Sequence, residues 1–148
     1  MATTPTKTHP LFTLPLTHNT DFTELADNCE RFFDALVECD DPTTKLALWG
    51  RLATCLALLQ PTLLEPVPEP LKESLIIDEP PTRLPALEPE VDQLGHYCQT
   101  LTQLLMSGAL AADAERVMQD LLFELVSYYA DTLKMPRWLR TEEGMIAL

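Results

Sequence analysis

Residues 61–89 read PTLLEPVPEPLKESLIIDEPPTRLPALEP and hold 8 of the chain's 13 prolines. Proline fixes φ and lacks an amide hydrogen, so no regular helix runs through such a block. The stretches on either side each carry two runs of helical periodicity. The order dictated is therefore helix–helix, long irregular crossover, helix–helix. A connection this long inside a compact domain is functional or disordered unless it packs. Leu63, Leu64, Val67, Leu71, Leu75, Ile76, Ile77, Leu84 and Leu87 interrupt the prolines. They predict an ordered segment laid over the helices, held by Leu64, Leu71, Ile76 and Leu84. Pro70–Asp78 has room for a short helix.

Upstream of the crossover, Asp41 and Pro42 start a helix as N-cap and first helical residue. Leu46, Trp49, Leu52, Ala53, Leu56 and Ala57 form its main face, and Leu48, Cys55, Leu58 and Leu59 make it apolar nearly all round. Such a helix is a central element or has a second face for a partner. The expectation is the most buried element of the fold, with Trp49, Leu52 and Leu56 almost inaccessible, stopped by Pro61. The helix before it begins near Thr20 or Asp21, where Asp21-x-x-Glu24 matches a capping box. Its inner positions are Phe22, Leu25, Ala26, Cys29, Phe32, Phe33, Leu36 and Val37. Glu24, Asp27, Asp34 and Glu38 form the opposite stripe, with Arg31 in the middle. Between Asp21 and Asp41 there are eight acids and one base. Residues 1–19 contain Pro5, Pro10 and Pro15 and predict an extended arm. Its Leu11, Phe12, Leu14 and Leu16 are expected to dock on the chain's own body.

Downstream, a third helix is expected to start with Pro89 at its first position. Leu87, Val91, Leu94, Cys98, Leu101 and Leu105 make a heptad-like seam, and Gly108 suits the position just past its end. A fourth helix spans about Leu110–Leu133. Leu110, Ala114, Val117, Leu121, Leu125 and Tyr128 form its face, broadened by Met118, Leu122, Val126 and Tyr129. Residues 136–148 form a tail in which Arg137 and Arg140 flank Trp138 and Leu139; with Lys134 they make a basic patch.

The fold predicted is all-α: four principal helices in an irregular bundle with the Pro-rich crossover between the second and third. At 148 residues the chain is read as a single domain, 1–148. It is large enough to bury a core without disulfide or metal staples. Cys29, Cys39, Cys55 and Cys98 show no C-x-x-C spacing, which suits free thiols in a reducing compartment. No signal-peptide pattern is present. The most apolar run, Leu46–Leu59, is too short for a bilayer and contains Arg51. The expected location is cytoplasmic.

Net charge −13 opposes nonspecific binding to nucleic acid or anionic membrane. It favours solubility and a basic partner. His9, His18 and His96 lack a second ligand at helical spacing, so no metal is expected. Ser74, Ser107 and Ser127 lie in no nucleophile elbow. His96 and Cys98, two apart on a helix, point to different sides. Gly50, Gly95, Gly108 and Gly144 are too scattered for a phosphate loop. No cofactor and no catalytic residue is assigned. Tyr129 and Trp138 are the aromatics expected to be partly exposed, as binding anchors often are.

Size, acidity and leucine content resemble those of secretion chaperones and redox-enzyme maturation chaperones. Glu88-Pro89-Glu90-Val91-Asp92 is similar to an acidic-proline stretch of the latter, without the histidine that follows it there. Five residues assign no family. The favoured function is protein binding by an adaptor, dedicated chaperone or inhibitor. An apolar helical surface with acidic rims would take a partner that carries a basic segment. The residues assigned to it are Glu24, Asp27, Asp34, Glu38, Arg137, Trp138 and Leu139. The rivals are a motif-less enzyme or small-ligand bundle, and a structural homo-oligomer subunit.

Overall fold

A computed structural model describes residues 10–148; the first half of the expected arm, with His9, lies outside the described residues. Of the described residues 63% are helical, which places the protein in the all-α class. Its contacts divide it into two compact units, Met1–Pro80 and Pro81–Leu148.

In the first unit, helix α1 spans Phe22–Glu38 and helix α2 Pro42–Thr62. The three residues 39–41 join them, so the two pack side by side as an antiparallel hairpin. Asp21 caps α1, its carboxylate accepting from the Thr23 and Glu24 amides at 2.9 Å each. The Thr23 hydroxyl, followed by these amides, holds the Asp21 carboxyl below its ordinary pKa. Asp41 caps α2 by accepting from the Thr44 amide at 2.8 Å, with Pro42 in the first turn as expected. Pro61 does not stop α2 but lies in its last turn. Beyond it the Leu63, Leu64 and Glu65 amides bond carbonyls three residues back, tightening the end of the helix.

The core of this unit is Leu25, Phe32 and Leu36 from α1 against Leu48, Leu52 and Cys55 from α2. This corrects the expected face of α2. Leu52 is buried, but Trp49 is 46% exposed and Leu56 49%. Nor is α2 the most buried element, since α1 buries Leu25, Asn28, Phe32 and Leu36. The physical reason is the uniform apolarity of α2: several stripes offer similar burial, and α1's shape selects among them. A 3-10 turn at Pro10–Thr13 opens the described part of the arm. Leu11, Phe12, Leu14 and Leu16 pack against the core, as expected of own-body docking. Arg51 donates to the Leu14 carbonyl and lies 5.6 Å over the Phe32 ring.

The crossover forms a short helix α3, Glu69–Lys72, and a 3-10 turn, Glu73–Leu75; together they start one residue before the Pro70–Asp78 window expected for a short helix. It is not pinned as expected. Leu71 is half-buried, but Leu64 is 93% exposed and Ile76 and Leu84 are also exposed. Pro66, Pro68, Pro70, Pro80, Pro81 and Pro85 leave the segment only a one-turn α-helix, Glu69–Lys72, so it has no continuous apolar face to lay on a core.

In the second unit, helix α4 spans Val91–Met106 and packs on helix α5, Ala112–Lys134. Helix α4 starts later than expected: Glu90 is its cap, with extended backbone, and Pro89 lies outside. Gly108 sits just past the end at φ +67°, a conformation that favours glycine. Leu94 and Cys98 are buried, Leu101 and Leu105 half-buried, and Val91 and Leu87 exposed. On α5 the packed stripe is Met118, Leu122, Leu125 and Tyr129, whereas Ala114, Val117, Leu121 and Tyr128 face out. Gly95 explains that rotation. A Cβ built there would lie 3.1 Å from the Tyr129 hydroxyl, so the ring seats where α4 has no side chain.

The tail was not expected to form regular structure, yet it folds as an antiparallel hairpin. Strand β1, Trp138–Thr141, pairs with strand β2, Gly144–Ala147, in the register Trp138↔Ala147 and Leu139↔Ile146. Glu142 and Glu143 form the turn, and Gly144 adopts φ +128°.

Candidate functional site

One flank of the α1–α2 hairpin presents apolar side chains to solvent. On α1, Cys29, Phe33 and Val37 recur every four residues, and on α2 Leu46, Trp49, Ala53 and Leu56 recur at spacings of three and four. The Phe33 and Trp49 rings meet edge-on, 6.2 Å between centroids and 78° between planes. That contact fixes the two stripes to one side of the hairpin. Val37 and Leu46 are each 73% exposed. An open cleft of about 520 Å³ lies on this flank, lined by Cys29, Glu30, Phe33, Asp34 and Leu52. Glu30 and Asp34 therefore border apolar surface directly.

Of the seven residues assigned from sequence, Glu24, Asp27, Asp34 and Glu38 are exposed on α1. They form one stripe with Arg31, and Asp34 reaches the cleft. Among the described residues the ion pairs are Glu69–Lys72, Asp113–Arg116 and Asp131–Lys134. None of them neutralises a carboxylate of α1. Arg137, Trp138 and Leu139 belong to the other unit. Trp138 begins β1 and is 64% exposed, Leu139 pairs with Ile146, and Arg137 accepts the Leu148 amide on its carbonyl. Tyr129 is half-buried against Gly95, and so is a packing residue.

Phe33, Val37, Leu46, Trp49 and Leu56 were absent from the sequence assignment because helical spacing read them as core. The available signal was excess: α1 and α2 together carry more apolar stripes than one hairpin contact can bury.

A second cleft, about 370 Å³, is lined by residues including His18, Asp21, Phe22, Thr62, Glu65 and Leu71. The carboxylate of Asp21 is already engaged in capping α1. Cys55 is fully buried and donates to the Leu25 carbonyl at 3.1 Å. Burial, then the neighbouring Cys29 thiol, pushes its pKa up to about 12, which keeps it protonated and a poor nucleophile. Among the described residues no group of three or more His, Cys, Asp or Glu side chains is placed to hold a metal ion. No helix among them is long and apolar enough to cross a membrane. Comparison of the chain with family models, curated proteins and solved structures finds no match.

Proposed function

We propose that this protein is a binding module for another protein, acting as an adaptor, dedicated chaperone or inhibitor. The observation that carries the reading is the exposed apolar flank of the α1–α2 hairpin, bordered by the unneutralised carboxylates of α1. Apolar surface that a helical hairpin leaves open is worth covering. Acidic side chains beside it steer an oppositely charged partner and add specificity more than affinity. Trp138 and Leu139 on the hairpin of the second unit are a further contact, with Arg137 beside them.

The test is affinity purification from the source cell with the full chain and a Val37→Asp/Leu46→Asp variant, read by quantitative mass spectrometry. Both positions are well exposed, so the variant is expected to keep its helical circular dichroism. Proteins held by the natural chain and lost from the variant support the reading. Equal recovery of all proteins by both chains contradicts it. Replacing Glu24, Asp27, Asp34 and Glu38 with Gln should slow association, and added salt should weaken it, since charges beyond about 8–10 Å are screened at physiological ionic strength. Self-association is a second reading, favoured by the nearly all-round apolar surface of α2. Sedimentation equilibrium distinguishes it by a mass that rises with concentration.

A further inference from the structure

We infer that the natural occupant of the α1–α2 flank is a basic amphipathic helix of a partner protein, lying along the groove with its Lys and Arg residues turned toward α1. This rests on the protein-binding reading above and specifies its partner. The amides and carbonyls in the middle of α1 and α2 bond within their own helices, so the flank offers no ladder to a strand. An extended segment laid there would leave its own backbone groups unpaired against apolar surface. A helix satisfies them internally and brings only side chains to the contact.

The length and shape of the flank also suit a helix. Leu46 to Leu56 rises about 15 Å and Cys29 to Val37 about 12 Å, at about 1.5 Å per residue. That matches about three turns of a third helix, with anchors at i, i+3 or i+4, and i+7 packed into the groove between two antiparallel helices. The Phe33–Trp49 pair lies near the middle of this length and is the natural central anchor site.

Charge is distributed unequally along the two edges of the groove. Along the α1 edge stand Glu30 and Asp34, with Asp27 and Glu38 next round the helix. Arg31 on the same helix approaches Asn28, its Nη1 3.5 Å from Oδ1. Along the α2 edge the exposed positions are Gly50, Ala53, Ala57 and Gln60, and the one charge is Lys45 in the first turn. A bound helix basic on both sides gains on one edge alone. A helix basic toward α1 and small or neutral toward α2 fits both.

The test uses the isotope-labelled full chain and three synthetic 18-residue peptides, with binding sites and affinities read by NMR titration. One peptide repeats Leu at i, i+3, i+4 and i+7, with Lys along one side of the Leu stripe and Ala or Gln along the other. The second has Glu in place of Lys. The third is a Leu/Lys peptide of the same length in strict alternation, which favours a strand. The first peptide should shift the signals of Phe33, Val37, Trp49 and Leu56. It should bind at least tenfold tighter than either of the others, and lose at least tenfold on Glu30→Gln/Asp34→Gln. Equal binding of the Glu peptide at this flank overturns the basic partner. Equal binding of the alternating peptide overturns the helix. In both cases the flank is still a binding surface, so the protein-binding reading survives. Shifts confined to other surfaces, or a dimer that covers the flank and excludes every peptide, also overturn the inference. Failure of the broader reading is seen separately, as equal recovery by the Val37→Asp/Leu46→Asp chain.

Discussion

At the scale of single residues, the register of α2 decides which of its leucines holds the protein together. Leu48 is fully buried, while Leu56, on a stripe that looks equally apolar in sequence, is half in water. Leu48→Ala is therefore expected to cost about 2–5 kcal/mol by lost burial and the cavity left behind. Leu56→Ala is expected to cost less than about 1 kcal/mol, in line with substitutions away from a packed core. Urea denaturation of the two variants checks the pair, and the reverse order would place the core on the Trp49 stripe. Cys55 gives a second residue-level expectation. Burial raises its thiol from 9.0 to about 12, so the folded state keeps a proton that the unfolded state releases. Its contribution is present below pH 9 and lost as pH rises toward 12. Cys55→Ala should flatten that part of the stability–pH curve, and an unchanged slope would contradict the assignment. These residues show what the sequence leaves open. Asp21 and Asp41 were legible as caps, because capping depends on chemistry two or three residues away. The buried stripe of α2 was not, because its choice depends on a partner helix.

Among elements, the two helical pairs were legible from periodicity, and the short helix from the break between prolines. Three outcomes depend on features that periodicity does not encode. Leu64, Ile76 and Leu84 stay out of the core because the prolines between them leave no helix long enough to gather them on one face. Helix α5 turns its Met118–Tyr129 stripe inward because Gly95 admits the Tyr129 ring. The β1–β2 hairpin escaped notice because two four-residue strands are too short for alternation to stand out, although Glu142-Glu143-Gly144 supplied a turn. The Gly95–Tyr129 contact is testable as a double-mutant cycle. Alanine is the better helix former by about 1 kcal/mol. In the natural chain Gly95→Ala should gain little or lose stability, since its methyl meets the hydroxyl. In a Tyr129→Phe background that obstacle is gone, and the same change should be more favourable. Identical effects in both backgrounds would mean the ring does not seat there.

For the whole molecule, two compact units are linked through a crossover whose residues from Lys72 to Glu88 are all exposed. Arg83 is the one Lys or Arg between Lys72 and Arg116. Limiting trypsin should cut there early, leaving two fragments that keep helical circular dichroism. Earlier cleavage at Arg31 or Arg116, inside helices, would contradict this. Glu30 and Asp34 of α1 line a cleft with Cys29, Phe33 and Leu52, so part of the molecule's acidity borders apolar surface. The central claim is that this surface is open in the free protein. Acrylamide quenching of Trp49 fluorescence tests it most directly, in a Trp138→Phe chain where Trp49 is the sole tryptophan. Acrylamide is neutral, so the acidic surface does not repel it. The account predicts efficient quenching, unchanged across protein concentration. Emission shielded from acrylamide in the dilute free chain would mean the flank is covered, and would contradict the account.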